Sequence, residues 1–163
     1  MTRRHDNVVN EDEVEAADGP MRGSYQSKLK GMGRAAGAQQ IGATLYELRP
    51  GCLAFPYHWH AHNEEALIVL GGEGTLRIGD REIALRAGDF VAFPTGSAHA
   101  HQLRATGEAA LRYYCLSTMN VPEICGYPDS AKFAAYIGRG EDRMRVVVRT
   151  DDTRDYFEGD PFA

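Results

Sequence analysis

The chain has few cysteines and no long apolar segment, and each shortage excludes a class of protein. Its 163 residues include three cysteines, Cys52, Cys115 and Cys125, and no Cys-x-x-Cys pair. Neither a disulfide framework nor a thiolate zinc site is therefore indicated. No apolar run approaches the length of a membrane-spanning helix, so we expect no membrane partner. The polar start MTRRHDNVVNEDE lacks the apolar stretch of a secretion signal, which predicts a cytoplasmic protein.

Positive charge is also scarce. The chain has 18 Lys and Arg against 23 Asp and Glu, which gives a net charge of −5 at neutral pH. Nucleic acids and anionic membranes attract basic surfaces, so we expect no nucleic-acid partner. The length is that of one domain.

Short alternating segments separated by glycine and proline fill the middle of the chain. ATLYELRPG, EEALIVL and RAGDFVAFPTG each have the composition of a strand that ends in a turn. TLRIGDREIAL is typical of a hairpin with a tight turn at Gly79-Asp80. KFAAYI and RMRVVVR could each add an edge strand. Without a convincing helix, this pattern predicts an all-β sandwich or barrel.

Changes in amino-acid composition divide the chain into three parts. The acidic and glycine-containing residues 1–40 predict a partly flexible N-terminal arm. Residues 41–118 are predicted to form the barrel core. Residues 119–163 are predicted to form an extension that packs on the barrel or on a partner subunit. Because exposed sheet edges and the flanking segments offer surfaces for pairing, we expect a homodimer.

Five histidines recur at two-residue spacing. His58 and His60 form one pair, with His62 following at the same spacing, and His99 and His101 form another. Successive side chains of a strand point to opposite faces, so each pair is expected to share one face. Imidazoles buried in a barrel need a partner, and a divalent metal is one. The alternative interpretation is a solvated, histidine-rich outer face.

Two adjacent glutamates follow the first pair. Either Glu64 or Glu65 would complete a site of three nitrogens and one oxygen, which leaves coordination positions open for a ligand. Only one of them can bind, since neighbours on a strand face opposite ways. Phe55, Tyr57 and Trp59 alternate with the histidines, and we expect them to pack on the other face.

These spacings resemble the two metal-binding motifs of the cupin superfamily, a group of small β-barrels. The first motif is matched by Gly51, His58, His60, Glu65 and Gly72, and the second by Gly88, Pro94, Gly96 and His99. The segment around Tyr-Pro-Asp-Ser, after the barrel, resembles a bacterial subgroup of small single-domain cupins. The likeness covers roughly residues 22 to 160.

The resemblance implies a cupin-type double-stranded β-helix, a jelly-roll-like β-barrel. It also implies one divalent metal ion (Fe, Mn, Ni or Zn) bound by His58, His60, Glu65 and a further histidine. Alignment of GEGTL with the family pattern favours Glu65. A His-Gln pair typical of the subgroup favours His101, with His99 as the alternative.

The resemblance leaves the reaction open. It implies a metal-binding cupin that holds a small polar metabolite in the barrel and that acts as a metal-dependent dioxygenase or isomerase. A non-catalytic cupin that binds or senses a small molecule is the alternative.

Overall fold

The regular structure of the protein is almost entirely β. The computed structural model describes residues 4–162, so residues 1–3 of the predicted arm and residue 163 of the extension lie outside the described part. The strands are β1 (Ala17–Arg22), β2 (Tyr25–Lys30), β3 (Gly42–Leu48), β4 (Trp59–His60), β5 (Glu65–Gly71), β6 (Glu73–Ile78), β7 (Arg81–Arg86), β8 (Phe90–Phe93), β9 (His101–Ala105), β10 (Leu111–Ser117), β11 (Glu123–Tyr127), β12 (Lys132–Ile137) and β13 (Met144–Arg149). The helical elements are α1 (Met32–Ala35) and four 3-10 turns at Glu11–Glu13, Ser97–His99, Pro128–Ser130 and Gly140–Asp142. Among the described residues, none of these helices has the length and apolar character needed to cross a membrane.

The strands form three antiparallel sheets. One has six strands in the order β1-β2-β3-β10-β5-β8, one has three in the order β7-β6-β9, and one has four in the order β13-β12-β11-β4. The six-stranded and three-stranded sheets form the barrel. The four-stranded sheet, which is called the third sheet below, lies at the end of the barrel where the cavity is found. The all-β barrel expected from the sequence is confirmed.

The hydrophobic core lies between the first two sheets. Leu48, Val69, Leu76 and Leu111 are almost completely buried and come from β3, β5, β6 and β10. Each follows the two-residue alternation of its strand, which turns every second side chain inward. Burial of one such side chain contributes about 2 kcal/mol. The apolar core therefore stabilises the barrel independently of any bound group.

The predicted hairpin is confirmed. β6 ends at Ile78, β7 begins at Arg81, and the strands pair antiparallel. Gly79, the first residue of the loop, has a φ of 54°, a conformation that favours glycine. The turn residues thus fix the register that places the β6 side chains in the core.

Part of the stretch assigned to the arm is regular structure. β1 and β2 form a hairpin, and β2 pairs with β3, so the hairpin extends the six-stranded sheet. At the other end, KFAAYI and RMRVVVR form β12 and β13, which confirms the two additional strands.

The extension is joined to the histidine segment through β4 and β11. Cys125 pairs with His60, and Gly126 pairs with Trp59. The Trp59 indole lies directly over Gly126, where a Cβ atom would overlap the ring. A glycine at this position therefore lets β11 approach β4 closely.

Candidate metal centre in the barrel cavity

A cavity of about 920 Å³ opens at the end of the barrel that the third sheet covers. This volume is within the range of sites for small organic ligands. Its lining includes His58, His60, Glu65 and His101 from the barrel, and Glu123 from the extension. Four of the five residues predicted to bind metal therefore meet in one place.

The strand alternation explains the choice between the two glutamates. Glu65 begins β5 and lies on the same face as Leu67 and Val69, both of which are buried. Glu64 precedes the strand and is exposed, and its backbone N–H donates to the Thr118 hydroxyl. Of these two glutamates, only Glu65 lines the cavity.

The expectation that His99 and His101 share a strand face is wrong. His99 ends the 3-10 turn Ser97–His99, and β9 begins only at His101. His101 lies in the inward row with Leu103, whereas His99 is not among the residues that line the cavity. The turn interrupts the alternation, so spacing alone could not reveal the difference.

Three of the side chains around the cavity are close enough to share one ion, and His101 lies beside them. The ligand atoms of His58, His60 and Glu65 all lie within 4.8 Å of one another. The His101 Nε2 atom is 3.8 Å from the Glu65 Oε2 atom, and the rings of His58 and His101 have centroids 4.6 Å apart. Phe93 stacks on the His101 ring at 3.7 Å between centroids and fixes its plane.

Hydrogen bonds set the tautomers of two of the histidines. The Nδ1 atom of His58 is 2.8 Å from the Pro56 carbonyl, and the Nδ1 atom of His101 is 3.0 Å from the His99 carbonyl. Because a carbonyl only accepts, each Nδ1 carries the proton in these contacts. The Nε2 lone pair of each neutral ring is then free to bind a metal, as in metal sites whose histidines donate to a backbone carbonyl.

His60 connects the barrel to the extension through its two ring nitrogens. Its Nε2 is 3.2 Å from Glu65 Oε2, but it is buried without an aligned hydrogen-bond partner among the described residues. Its Nδ1 is 3.3 Å from Cys125 Sγ and 3.7 Å from Glu123 Oε1. A buried Nε2 without an aligned partner fits the requirement of a metal ligand.

The electrostatics favour two neutral rings and one ion pair in the metal-free protein. Burial, followed by the nearby His60, lowers the pKa of His58, and burial lowers the pKa of His101 to about 4. Burial also lowers the pKa of His60, but the Cys125 sulfur and the Glu65 carboxylate outweigh it and raise the value to about 10. Burial raises the pKa of Glu65, while His60 has the larger combined effect and lowers it. His60 thus holds a proton that a cation at this position would replace.

Two residues of the site were not predicted from the sequence. Glu123 and Cys125 lie in the inward row of β11, and both are buried. Glu123 Oε1 accepts from the backbone N–H groups of Ala61 and His62, at 3.0 and 3.4 Å, while Oε2 has no partner among the described residues. The alternation of EICGY was the available signal, but both residues lie outside the two motifs.

The aromatic residues beside the histidines have different surroundings. Tyr57 is buried, its hydroxyl donates to the Gly79 carbonyl at 3.3 Å, and Arg77 lies over its ring. Trp59 packs on Gly126. The expectation was wrong for Phe55, which lines the cavity and meets the ring of His58 edge-on.

The barrel segment of the chain is similar to a known domain family. Residues 44–117 match the Cupin domain family Cupin_2, a range that runs from β3 to β10 and includes both histidine motifs. The three-sheet architecture and this match confirm the cupin β-barrel fold. Among proteins with curated descriptions, none matches the chain at a significant level.

Several solved structures have the same architecture. A proposed sugar phosphate isomerase from Acidithiobacillus ferrooxidans is 26% identical, with a TM-score of 0.81 over 92% of this chain and 96% of that one. A sugar phosphate isomerase of the cupin superfamily from Silicibacter pomeroyi is 24% identical, with a TM-score of 0.77 over 90% and 94% of the two chains. A polyketide cyclase from Streptomyces resistomycificus is 21% identical, with a TM-score of 0.61 over 76% and 84%. The last two likenesses support the fold alone.

Proposed function

We propose that the protein is a metal-dependent isomerase whose substrate is a small polar hydroxy-carbonyl metabolite held in the barrel cavity. The observation that carries this proposal is the convergence of His58, His60, Glu65 and His101 in a ligand-sized cavity, where the buried His60 Nε2 atom has no aligned hydrogen-bond partner among the described residues and lies 3.2 Å from Glu65 Oε2.

These four side chains would hold one divalent cation. His101 is assigned the fourth position in preference to His99 because its Nε2 atom lies near Glu65 inside the cavity. Three imidazoles and one carboxylate suit iron, manganese, nickel or zinc. When bound, such an ion polarises a carbonyl or hydroxyl oxygen of the ligand.

Glu123 is the group that we assign to proton transfer. Glu123 lines the cavity, two backbone N–H groups hold its Oε1 atom, and its Oε2 atom is buried without a hydrogen-bond partner among the described residues. A carboxylate in that position can take a proton from the carbon that bears the hydroxyl and return it to the former carbonyl carbon. The hydroxyl proton passes to the carbonyl oxygen, so the rearrangement needs no oxidant.

The similarity to the protein from Acidithiobacillus ferrooxidans supports isomerase chemistry over the dioxygenase alternative. That likeness covers 92% of this chain and 96% of that one, so it extends well beyond the predicted barrel core, residues 41–118.

The test is exchange of substrate hydrogen with solvent. Metal-loaded protein in D2O is incubated with a panel of aldoses and ketoses, neutral and phosphorylated, and proton NMR follows isomerisation and deuterium incorporation. We expect turnover of at least one pair, loss of it in His60→Ala and a large decrease in Glu123→Gln. Glu64→Gln, an exposed neighbour, is the control. Oxygen consumption without isomerisation would overturn the proposal in favour of a dioxygenase, and binding without either reaction would favour a sensing protein.

We also propose that the protein is a homodimer, paired through the outer face of the four-stranded sheet. This face carries Ile124, Phe133, Ile137, Met144 and Val146, all of them 37–50% exposed. The strand register places them in outward rows that contain no charged side chain. A second copy of the same face could cover it without desolvating a charge.

Light scattering tests the dimer. The protein should have about twice the mass of the 18.0 kDa chain, and Phe133→Glu should reduce it to one chain. Ile83→Glu, at a similarly exposed position on β7, is the matched control and should leave the mass unchanged. A single-chain mass for the unmodified protein at micromolar concentration would contradict the proposal.

A further inference from the structure

The entrance of the cavity is positively charged, although the chain as a whole is acidic. Three arginines line the cavity: Arg34 from α1, and Arg139 and Arg143 from the segment between β12 and β13. All three are exposed, whereas the lining residues Glu65, His101 and Glu123 are mostly or fully buried. The cavity therefore has a cationic mouth and a metal-binding floor.

The charge of these arginines is not compensated within the described residues. None of the three forms an ion pair there, in contrast to Arg77 and Arg112, which bind Asp129, Glu11 and Glu47. The acids nearest in sequence, Glu141 and Asp142, do not line the cavity. Arg143 lies over the Tyr136 ring at 5.8 Å, a contact that leaves its charge uncompensated. Three guanidinium groups without an ion-pair partner among the described residues favour an anion with more than one charge.

Arg139 is held in place before any ligand binds. Its Nη2 donates to the Met119 carbonyl at 2.7 Å and its Nη1 donates to the Gln39 carbonyl at 3.4 Å. Met119 has a φ of 52°, which is uncommon for a residue with a side chain, and it also lines the cavity. The two carbonyl contacts use only part of the donor capacity of a guanidinium group, which has five N–H donors. The remaining donors are available to an anion.

We propose that Arg34, Arg139 and Arg143 form a subsite for the anionic end of the ligand, and that this end is a dianion of the phosphate monoester class. The inference rests on the proposed function, since it names the substrate class of the same cavity. The hydroxy-carbonyl end would lie at the histidines and Glu123, and the phosphate end at the mouth.

Binding of inorganic phosphate to the metal-free protein tests the subsite directly. Without metal, phosphate cannot bind through the metal centre. The phosphate titration therefore tests the arginine subsite even if the proposed metal site is wrong. Titration calorimetry should show binding that weakens as sodium chloride is added, since salt screens exposed charges. Acetate should bind at least about tenfold more weakly, because it has one charge instead of two. Equal affinity for the two anions would overturn the assignment to a phosphate class.

The cleanest variants are Arg34→Met and Arg143→Met, because neither side chain donates a hydrogen bond that holds the described fold. Together they should raise the Kd for phosphate by about tenfold or more. Arg86→Met, an exposed arginine on β7 outside the cavity, should leave the Kd unchanged. The lysine variants Arg34→Lys and Arg143→Lys keep the charge but lose the planar fork, and they should give intermediate values.

Two controls separate the subsite from a general effect on the fold. Circular dichroism should be unchanged in all of these variants, and the metal content should equal that of the unmodified protein. A Kd for phosphate in the double methionine variant equal to that in Arg86→Met would overturn the proposal.

Discussion

The two ring nitrogens of His60 face residues from different parts of the chain. On the Nε2 side, the barrel provides Glu65, His58 and His101. On the Nδ1 side, the extension provides Cys125 and Glu123. The first side is equipped to hold a cation, and the second orients the ring and contributes a carboxylate for the ligand. The short sequence motifs thus contain the candidate metal ligands, whereas the other half of the cavity comes from a part of the chain outside those motifs.

The largest effect should come from the barrel side. His101→Ala should reduce bound metal from about one ion per chain to a trace, because it removes a ligand from the cavity. His99→Ala should keep the metal, since His99 lies in the turn before β9. Elemental analysis of the two purified variants measures both outcomes, and far-UV circular dichroism checks that each is folded. Metal loss in His99→Ala with retention in His101→Ala would reverse the assignment.

A smaller effect is expected from the extension. Glu123→Gln should weaken metal binding by about 10- to 100-fold, the range found when a partner of a ligating histidine is removed. The amide keeps the size of the side chain but changes its charge beside the His60 Nδ1 atom. Competition with a fluorescent chelator gives the Kd. An unchanged Kd would show that the extension acts on the ligand alone.

The smallest expected effect is the number of protons released when the metal binds. At pH 7.5 His60 should be protonated in the metal-free protein, because its pKa is raised to about 10. His58 and His101 should be neutral there, since their pKa values are lowered. Metal binding requires neutral imidazoles, so about one proton should be released per ion. Calorimetry in buffers of different ionisation enthalpy gives the number, and release of none or of three would contradict this charge distribution.

The same pKa values predict how the metal-free fold responds to pH. The ion pair of His60 contributes stability that is fully present below the unfolded pKa of 6.5 and is lost as the pH rises toward 10. The pKa of His101 is lowered in the fold, so its effect on the stability of the metal-free protein has the opposite dependence on pH. The ring is neutral in the fold, so its contribution disappears as the pH falls from 6.5 toward 4.

The barrel could be predicted because each of its features is local in sequence. Alternation places Leu67 and Val69 inward, and the glycine at position 79 specifies the hairpin. The same period, counted back from the buried residues of β5, selects Glu65 over Glu64. The choice of Glu65 as a metal ligand stays a prediction, but its place in the cavity follows from the pattern.

The other half of the cavity could not be predicted in this way. Glu123 and His60 are far apart in sequence, and only the pairing of β11 with β4 brings them together. Phe55 stands before the short β4 strand, where the chain is irregular and alternation does not apply. The arginines of the mouth lie in a short helix and a turn, neither of which has a period that indicates a cavity.

The pairing of β4 has a practical consequence for anyone who wishes to isolate the segment that matches the Cupin domain family. β4 contains two residues, and its strand partner is β11, which lies beyond the matched range 44–117. The next amide, that of Ala61, donates to the Ile124 carbonyl at 2.8 Å. A fragment cut at residue 117 would keep the barrel core but leave the backbone of His60 without this support. We therefore expect that a fragment must extend through β11 to keep the candidate metal centre ordered, and a boundary drawn from sequence similarity alone would separate β4 from its partner strand.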